Sequence, residues 1–390
     1  MINNVADRMS LLHGESAFAI MAKANSLEAE GKSIIHLEIG QPDFKTPQNI
    51  IDAACNALNS GKTGYTPTPG IPQLRETIAE HCWRHKNVKV DPSEVVVVPG
   101  GKPIMFYTML TLVNPGDEVI IPVPSFVCYG PLTTIAGGVP VMLETKAEDD
   151  FKLTAESLKA AITDKTKVLI LPFPNNPTGA IMTAEELEEI AKIIRGTNIA
   201  VISDEIYAEL TFTGKRHVSI ASLPGMRERT VVVNGFSKAY AMTGWRMGYT
   251  AAPKEITEQM LKIHQYGIMC APTTSQYAAI EALRNGDEDI EYMAAEYNRR
   301  RRFIVDGLRK IGIPCFEPHG AFYVFPNIGA FGLSSEEFCE RLLYEEGVAI
   351  VPGTAFGECG EGFARISYAY SVKHISTALE KMEKFVNKLR

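Results

Sequence analysis

The sequence has no uninterrupted apolar run approaching the ~18 residues that a membrane-spanning helix needs. Its opening stretch, residues 1–18, has no basic start followed by an apolar core, so no secretion signal is expected either. There is no CxxC pair. The seven cysteines are scattered and odd in number, which suits free thiols in a reducing cytosol better than a disulfide framework. Basic residues are not in excess: 39 Lys and Arg stand against 46 Asp and Glu, and the resulting charge of −7 argues against nucleic acid or an anionic membrane as the main partner. Internal repeats and low-complexity tracts are missing as well. What is left is the composition of a soluble, cytoplasmic protein, and 390 residues are enough for a large domain and a smaller one.

Between residues 94 and 250, β-branched runs alternate with helical patterns. The runs are VVVV (95–98), EVII (118–121), VPVML (139–143), KVLIL (167–171), IAVIS (199–203), TVVV (230–233) and MGYTA (247–251). Helix-like stretches at 103–112, 126–136, 154–162 and 183–194 separate them, the pattern of an α/β domain with a mostly parallel sheet covered on both faces. Residues 254–311 read as helices, with the basic run Arg299 to Arg302 as a solvated face. Beyond them the pattern becomes α+β: strands near 313–316, 321–325, 347–351 and 363–367, a helix from about 335, and a closing helix to 388. The N-terminal segment 1–45 is expected to join this smaller unit.

Four stretches carry candidate chemistry. In Asn234 to Gly248, Lys238 sits in a small-residue loop straight after a buried strand, where desolvation lowers an amine's pKa and frees it to attack a carbonyl. A lone lysine there would be a surface residue. This one is followed eight positions later by Arg246, whose planar guanidinium is suited to hold a phosphate. In Ser203 to Tyr207, Asp204 ends the IAVIS run at the carboxyl edge where open parallel sheets place ligands. It can pair with a protonated ring nitrogen, with Tyr207 beside a phenolic oxygen, or it can cap a helix. Pro174 to Gly179 is a turn or a ligand loop, and Gly100-Gly101-Lys102 leads into a helix whose first N–H groups can meet an anion. His81 and His85, four apart with Cys82 between them, lack a third metal ligand and read as a polar helix face.

Taken in order, GYTPTPG (64–70), PGGK (99–102), NNPTG (175–179), DEIY (204–207), GFSKAYAMTGWRMG (235–248) and ARISY (364–368) resemble the class I/II aminotransferases, enzymes of fold type I that use pyridoxal 5′-phosphate (PLP). The resemblance runs from about residue 33 to the end. It implies a seven-stranded, mostly parallel sheet between helices in a large PLP-binding domain, 46–290, and a small domain, 291–390, joined by residues 1–45. It further implies that Lys238 holds PLP as a Schiff base and shuttles a proton, that Asp204 faces the ring nitrogen, and that Tyr207 and Asn176 hold the 3′-oxygen. Arg246 and the backbone of Gly100, Gly101 and Lys102 would take the phosphate, helped by Tyr65 of a neighbouring subunit in a homodimer. Phe126 falls where an aromatic stacks on the ring, and Arg365 where the substrate carboxylate is clamped, beside Gly40 and Asn176. One departure stands out: Gly235 replaces a phosphate-binding serine, leaving Ser237 as the hydroxyl of that loop.

The expected reaction is ping-pong transfer of an amino group between an L-amino acid and a 2-oxo acid such as 2-oxoglutarate. The alternative is a PLP-dependent lyase or oxidase on the same fold. A PLP-sensing transcription regulator needs a DNA-binding module, and ~40 residues ahead of the first motif leave no room for one. Lys102 suggests an aspartate or glutamate donor. Phe18, Phe126 and Tyr129 at an apolar entrance, and the absence of arginine from Met269 to Thr274, suggest an aromatic or aliphatic one.

Overall fold

The structure is a computed structural model that describes residues 5–12, 14 and 16–390, apart from the side chains of 16–18; Phe18 thus lies outside the described side chains. Helix α1 (Ser16–Ala29) and the short strand β1 (Ile35–His36) precede α2 (Gln48–Asn59) and α3 (Pro72–Lys86). The β-branched runs follow as β2 (Val95–Val98), β3 (Glu118–Val123), β4 (Val139–Glu144), β5 (Thr166–Leu171), β6 (Ala200–Asp204), β7 (Thr230–Gly235) and β8 (Gly248–Ala251). They form one seven-stranded sheet in the order β2-β8-β7-β6-β5-β3-β4, parallel except for β8, which runs against both of its neighbours.

The period of two explains why such continuous apolar runs are needed. Ile120, Leu169 and Val201 pack into a core on one face of the sheet, while Val119, Val168 and Ile202, one residue away, pack into another on the opposite face. Helices α4 (Gly101–Leu112), α5 (Tyr129–Ile135), α6 (Ala155–Ala161) and α7 (Ala184–Ile194) connect the strands. The last begins at a reciprocal cap, the Thr183 side chain accepting from Glu186 N–H and the Glu186 side chain from Thr183 N–H. Pro140, which has no N–H to give, sits on β4 at the sheet's edge.

After α8 (Lys254–Gly267), α9 (Thr273–Asn285) and α10 (Asp287–Lys310), the C-terminal part consists of β9 (Tyr323–Val324), α11 (Ser335–Glu346), β10 (Val348–Ala349), β11 (Val351–Pro352), β12 (Ala364–Ser367) and α12 (Val372–Leu389). β1 pairs in parallel with β10, so the N-terminal segment is stitched to this part, and β11-β12-β9 form a separate antiparallel sheet.

Several sequence expectations are corrected. No strand forms over 313–316: Pro314 supplies no N–H, and only an isolated bridge joins Cys315 to Pro326. The run 347–351 divides between β10 and β11, which belong to different sheets. The basic run is not a solvated face. Consecutive residues turn through 100° around a helix, so four cannot share a side. Arg299 and Arg302 are exposed, but Arg300 and Arg301 are buried, Arg300 on Asp43 at 2.7 Å and Arg301 on Glu317 at 2.7 Å. Nor do His81 and His85 form an open polar face: His81 is buried, its Nε2 3.7 Å from Glu209, and its ring stacks on that of His85.

Candidate active site

Strands β2, β5, β6 and β7 run in one direction, so the loops that follow them emerge at one edge of the sheet. Those loops carry the four candidate stretches. Together with Gly40 and Arg365 from the C-terminal side they enclose a cavity of about 420 Å³, within the range of small-molecule cofactor sites.

Lys238 follows β7 by three residues, and its Nζ donates to Gly40 O at 2.6 Å. Burial pushes the amine down to about 8, aided by the positive charges of Arg365 and Arg246. Arg246 stands at the far end of the same loop, where its Nη1 donates to Thr243 O at 3.0 Å. It lies against the start of α4, whose N-cap Gly100 has no side chain to cap with, so a guanidinium and the first helix N–H groups stand side by side. Gly100 makes that approach possible: its φ is +97°, and a Cβ there would lie 2.3 Å from Arg246 Nη2. Ser237 and Lys102 also line the cavity, with Lys102 Nζ 5.3 Å from the centre of the Phe126 ring. At Gly235 a Cβ would be tightly placed, 3.0 Å from Met247 O and 3.2 Å from Ile206 Cδ1.

Asp204, buried at the end of β6, caps no helix. Its Oδ2 accepts from the Tyr129 hydroxyl at 2.8 Å and its Oδ1 from Ile206 N at 3.3 Å. Burial raises the carboxyl to about 6 against the opposing pull of the Tyr129 hydrogen bond. Tyr129, expected to be part of an apolar entrance, is thus a polar partner in the floor of the cavity. Tyr207 hydroxyl meets Tyr323 hydroxyl at 2.8 Å, and burial raises both phenols. Arg365 is buried on β12: its Nη1 donates to Asn176 Oδ1 at 3.1 Å, its Nη2 donates to Glu38 O, and its Nε has no partner among the described residues.

Thus Gly40, Gly101, Lys102, Phe126 and Asn176 line one cavity with Asp204, Tyr207, Ser237, Lys238, Arg246 and Arg365, and Gly100 stands immediately behind it. Tyr65 does not join them: its side chain is 86% exposed, away from this chain's own cavity. Sequence reasoning placed Tyr129 at the entrance but missed its bond to Asp204, and among the polar lining residues it missed Tyr323 and Glu38. Tyr323 was visible only as one letter of the apolar run AFYVF, and Glu38 only by its nearness to Gly40.

The family model for aminotransferase class I and II matches residues 32–382. An aspartate aminotransferase of Pyrococcus abyssi is 44% identical, covering 97% of this chain and 97% of its own. Aromatic-amino-acid aminotransferase 2 of Thermococcus litoralis is 41% identical, with 97% of each chain covered. The structure of the Thermus thermophilus aspartate aminotransferase with maleate superposes with a TM-score of 0.94 at 38% identity, over 98% of this chain and 100% of that one. PLP is an aldehyde with a basic ring nitrogen and a phosphate. The cavity supplies each with a counterpart: an amine of lowered pKa, a buried carboxyl, and a guanidinium beside helix N–H groups. The unpaired Nε of buried Arg365 remains for a carboxylate. On these matches and this donor set, the chain belongs to the class I and II aminotransferases, fold type I enzymes that use pyridoxal 5′-phosphate to move amino groups.

Proposed function

We propose that Lys238 binds PLP covalently as a Schiff base and then carries the proton between the substrate Cα and the cofactor, while Asp204 keeps the ring nitrogen protonated. Bound PLP supplies an electron sink that acidifies the Cα–H bond and a place to store the amino group. Tyr207 and Asn176 hold the 3′-oxygen. Arg246, Ser237 and the N–H groups of Gly100, Gly101 and Lys102 hold the phosphate, and Phe126 stacks on the ring. Arg365, beside Asn176 and the Gly40 backbone, clamps the substrate α-carboxylate. The observation that carries this assignment is the convergence of Lys238, Asp204 and Arg365 on one cavity, with the lysine amine depressed and the carboxyl raised.

The unit of function in this proposal is a cytoplasmic homodimer. Tyr65 at 86% exposure and Tyr266 at 93% are large aromatics on this chain's surface, and the Thr273 hydroxyl ties the Tyr65 loop to α9 through Gly64 O at 2.7 Å. A partner covering these residues would bring Tyr65 to its neighbour's phosphate. Among the described residues no helix is long and apolar enough to cross a membrane. Each subunit divides into a large PLP-binding unit, 46–290, and a small one, 291–390, joined by 1–45.

Transfer predicts a reaction that stops. Given one active amino acid and no oxo acid, the enzyme is expected to release one oxo acid per active site and halt, as ping-pong chemistry requires. A stopped-flow trace followed by product counting checks this. Ammonia release or O₂ uptake continuing past one equivalent would favour the lyase or oxidase reading.

For the substrate, we propose glutamate and 2-oxoglutarate for one half-reaction, with Lys102 reading the distal carboxylate. The relative solved with maleate is named for aspartate, which supports a dicarboxylate. A second reading rests on an adjoining hollow of about 730 Å³, which shares Lys102 with the cavity and is walled by Phe106, Val127, Leu132 and Ile268. That wall suits an aromatic or aliphatic donor, and the Thermococcus relative is named for aromatic amino acids. In Lys102→Ala, kcat/KM for glutamate and aspartate is expected to fall ~10- to 100-fold while an aromatic donor changes little, a charge-assisted hydrogen bond being worth ~1.5–3 kcal/mol. Equal losses for both donor types would move Lys102 to the phosphate.

A further inference from the structure

Behind the strand ends that carry Asp204 and Lys238 lies a second buried cluster, on the side away from the cavity. Neighbouring residues of an extended strand point to opposite faces. At the end of β6, Asp204 turns toward Tyr129, while Ser203 and Glu205 turn the other way. Glu205 is completely buried. Its Oε1 accepts from Ser203 Oγ at 3.0 Å and from Ser219 Oγ at 2.5 Å. Its Oε2 accepts from Lys86 Nζ at 3.0 Å, and His217 Nε2 stands 3.5 Å from the same oxygen. Lys86, buried in the last turn of α3, also reaches Glu209 at 3.6 Å.

The cluster reaches the second arm of the site as well. Glu209 faces His81 at 3.7 Å and accepts from Asn234 Nδ2 at 3.2 Å. Asn234 lies in β7, four residues before Lys238. Glu205 N donates to Val233 O at 2.8 Å, so the ladder between β6 and β7 runs to this point. Burial alone would push the Glu205 carboxyl up, but the Lys86 ammonium and His217 hold it well below the usual carboxylate range. The pair is therefore charged, and buried opposite charges tolerate little displacement because neither has water to turn to.

We infer that Glu205, held by Lys86 and Ser219, is a positioning residue for the reaction, fixing Asp204 against the cofactor's ring nitrogen from the opposite face of the strand. The inference rests on the assignment of Asp204 to that nitrogen. Asp204 and Glu205 share a peptide, so a shift at Glu205 is passed to Asp204, whose carboxyl is held by Tyr129 and Ile206 N–H, and a misplacement of ~1 Å can cost about 100-fold in rate.

The test uses the dimeric holoenzyme loaded with PLP carrying ¹⁵N at the pyridine nitrogen, whose resonance reports protonation of the ring independently of turnover. In Glu205→Gln, the amide faces the Lys86 ammonium with a second donor or a neutral acceptor. The resonance is expected to move toward its unprotonated position, and the single half-reaction to slow about 10- to 100-fold. Ser219→Ala removes one hydrogen bond and no charge, so it tests the same geometry should Glu205→Gln fail to fold. It is expected to move the resonance the same way, with a loss of roughly 3- to 10-fold. A resonance and half-reaction rate like the parent's in a folded variant, with only a lower Tm, would show a merely structural cluster and overturn the inference. Asp204→Ala is the control: a resonance that stays protonated there overturns the assignment of Asp204 itself, and the inference with it.

Discussion

Lys238→Ala enzyme is expected to lose roughly 10⁴-fold or more in turnover while retaining its fold, because one substitution removes both the covalent tether and the proton carrier. The fold does not depend on the amine, whose Nζ makes one hydrogen bond, to Gly40 O, on the wall of a cavity where water can replace it. The same residue sets a pH dependence. Only the unprotonated amine attacks an aldehyde, and the folded environment lowers the amine from 10.5 to about 8. Capture of added PLP by the apoenzyme is therefore expected to speed up with pH and level off above about 8, where an ordinary lysine would still be gaining. Stopped-flow absorbance follows capture, and amino-acid turnover measures the loss. Near-parental turnover in Lys238→Ala, or a capture rate still climbing past pH 10, would remove the lysine from the role given to it.

The second large effect is expected at Asp204. Burial is the chief cause of the rise of the Asp204 carboxyl to about 6. A pyridinium beside it reverses the balance, since an opposite charge within ~4–6 Å favours the ionised form and the ion in turn keeps the ring protonated. Asp204→Ala removes that partner. Cofactor binding is expected to survive in part, through Lys238 and the phosphate contacts, while Cα proton abstraction slows by ~10³-fold, the ring having become a poor electron sink. Deuterium at Cα provides the measurement, with the isotope effect on the half-reaction growing as that step becomes limiting. A loss of less than about tenfold, or about 1.4 kcal/mol of barrier, would leave Asp204 as a partner of Tyr129 and no more.

How much of this was legible in the sequence depended on how local each signal is. The seven strands of the large sheet were readable because each is a short, mostly apolar run between helical patterns, and β2, β5, β6 and β7 are nearly unbroken and buried on both faces, while the edge strand β4 is partly exposed. Lys238 and Arg246 were readable because one loop carries both. The polar role of Tyr129, and Tyr323 and Glu38 altogether, were not, because three distant segments bring them together, and each looks like an ordinary neighbour in its own segment. An aromatic on an apolar stretch gives no hint that its hydroxyl will find Asp204. The C-terminal strands were too short for periodicity to bound them, with Pro314 and Pro352 interrupting the runs. The paired arginines of α10 failed as a surface reading for a different reason: their partners, Asp43 and Glu317, lie far away in the chain or in a later loop, and charge alone does not reveal which basic side chains find buried partners.

The reversed strand β8 carries a consequence for biosynthesis. It is the sole sheet neighbour of β2, and their register joins Val95 to Ala251. A ribosome adding about 5–20 residues per second needs roughly 8 to 30 seconds to make the intervening chain. Throughout that interval the all-valine strand β2 has no partner in its own sheet, and a bare strand edge of β-branched residues is a template for association with other chains. The meeting of Gly100 with Arg246 waits for the same interval, because Gly100 follows β2 and Arg246 leads into β8, so this corner of the cavity forms only when β8 pairs with β2 and β7. Newly made chains of this enzyme are consequently exposed to misassembly, and in need of a holdase, through the middle of translation, from the emergence of β2 until β8 follows it.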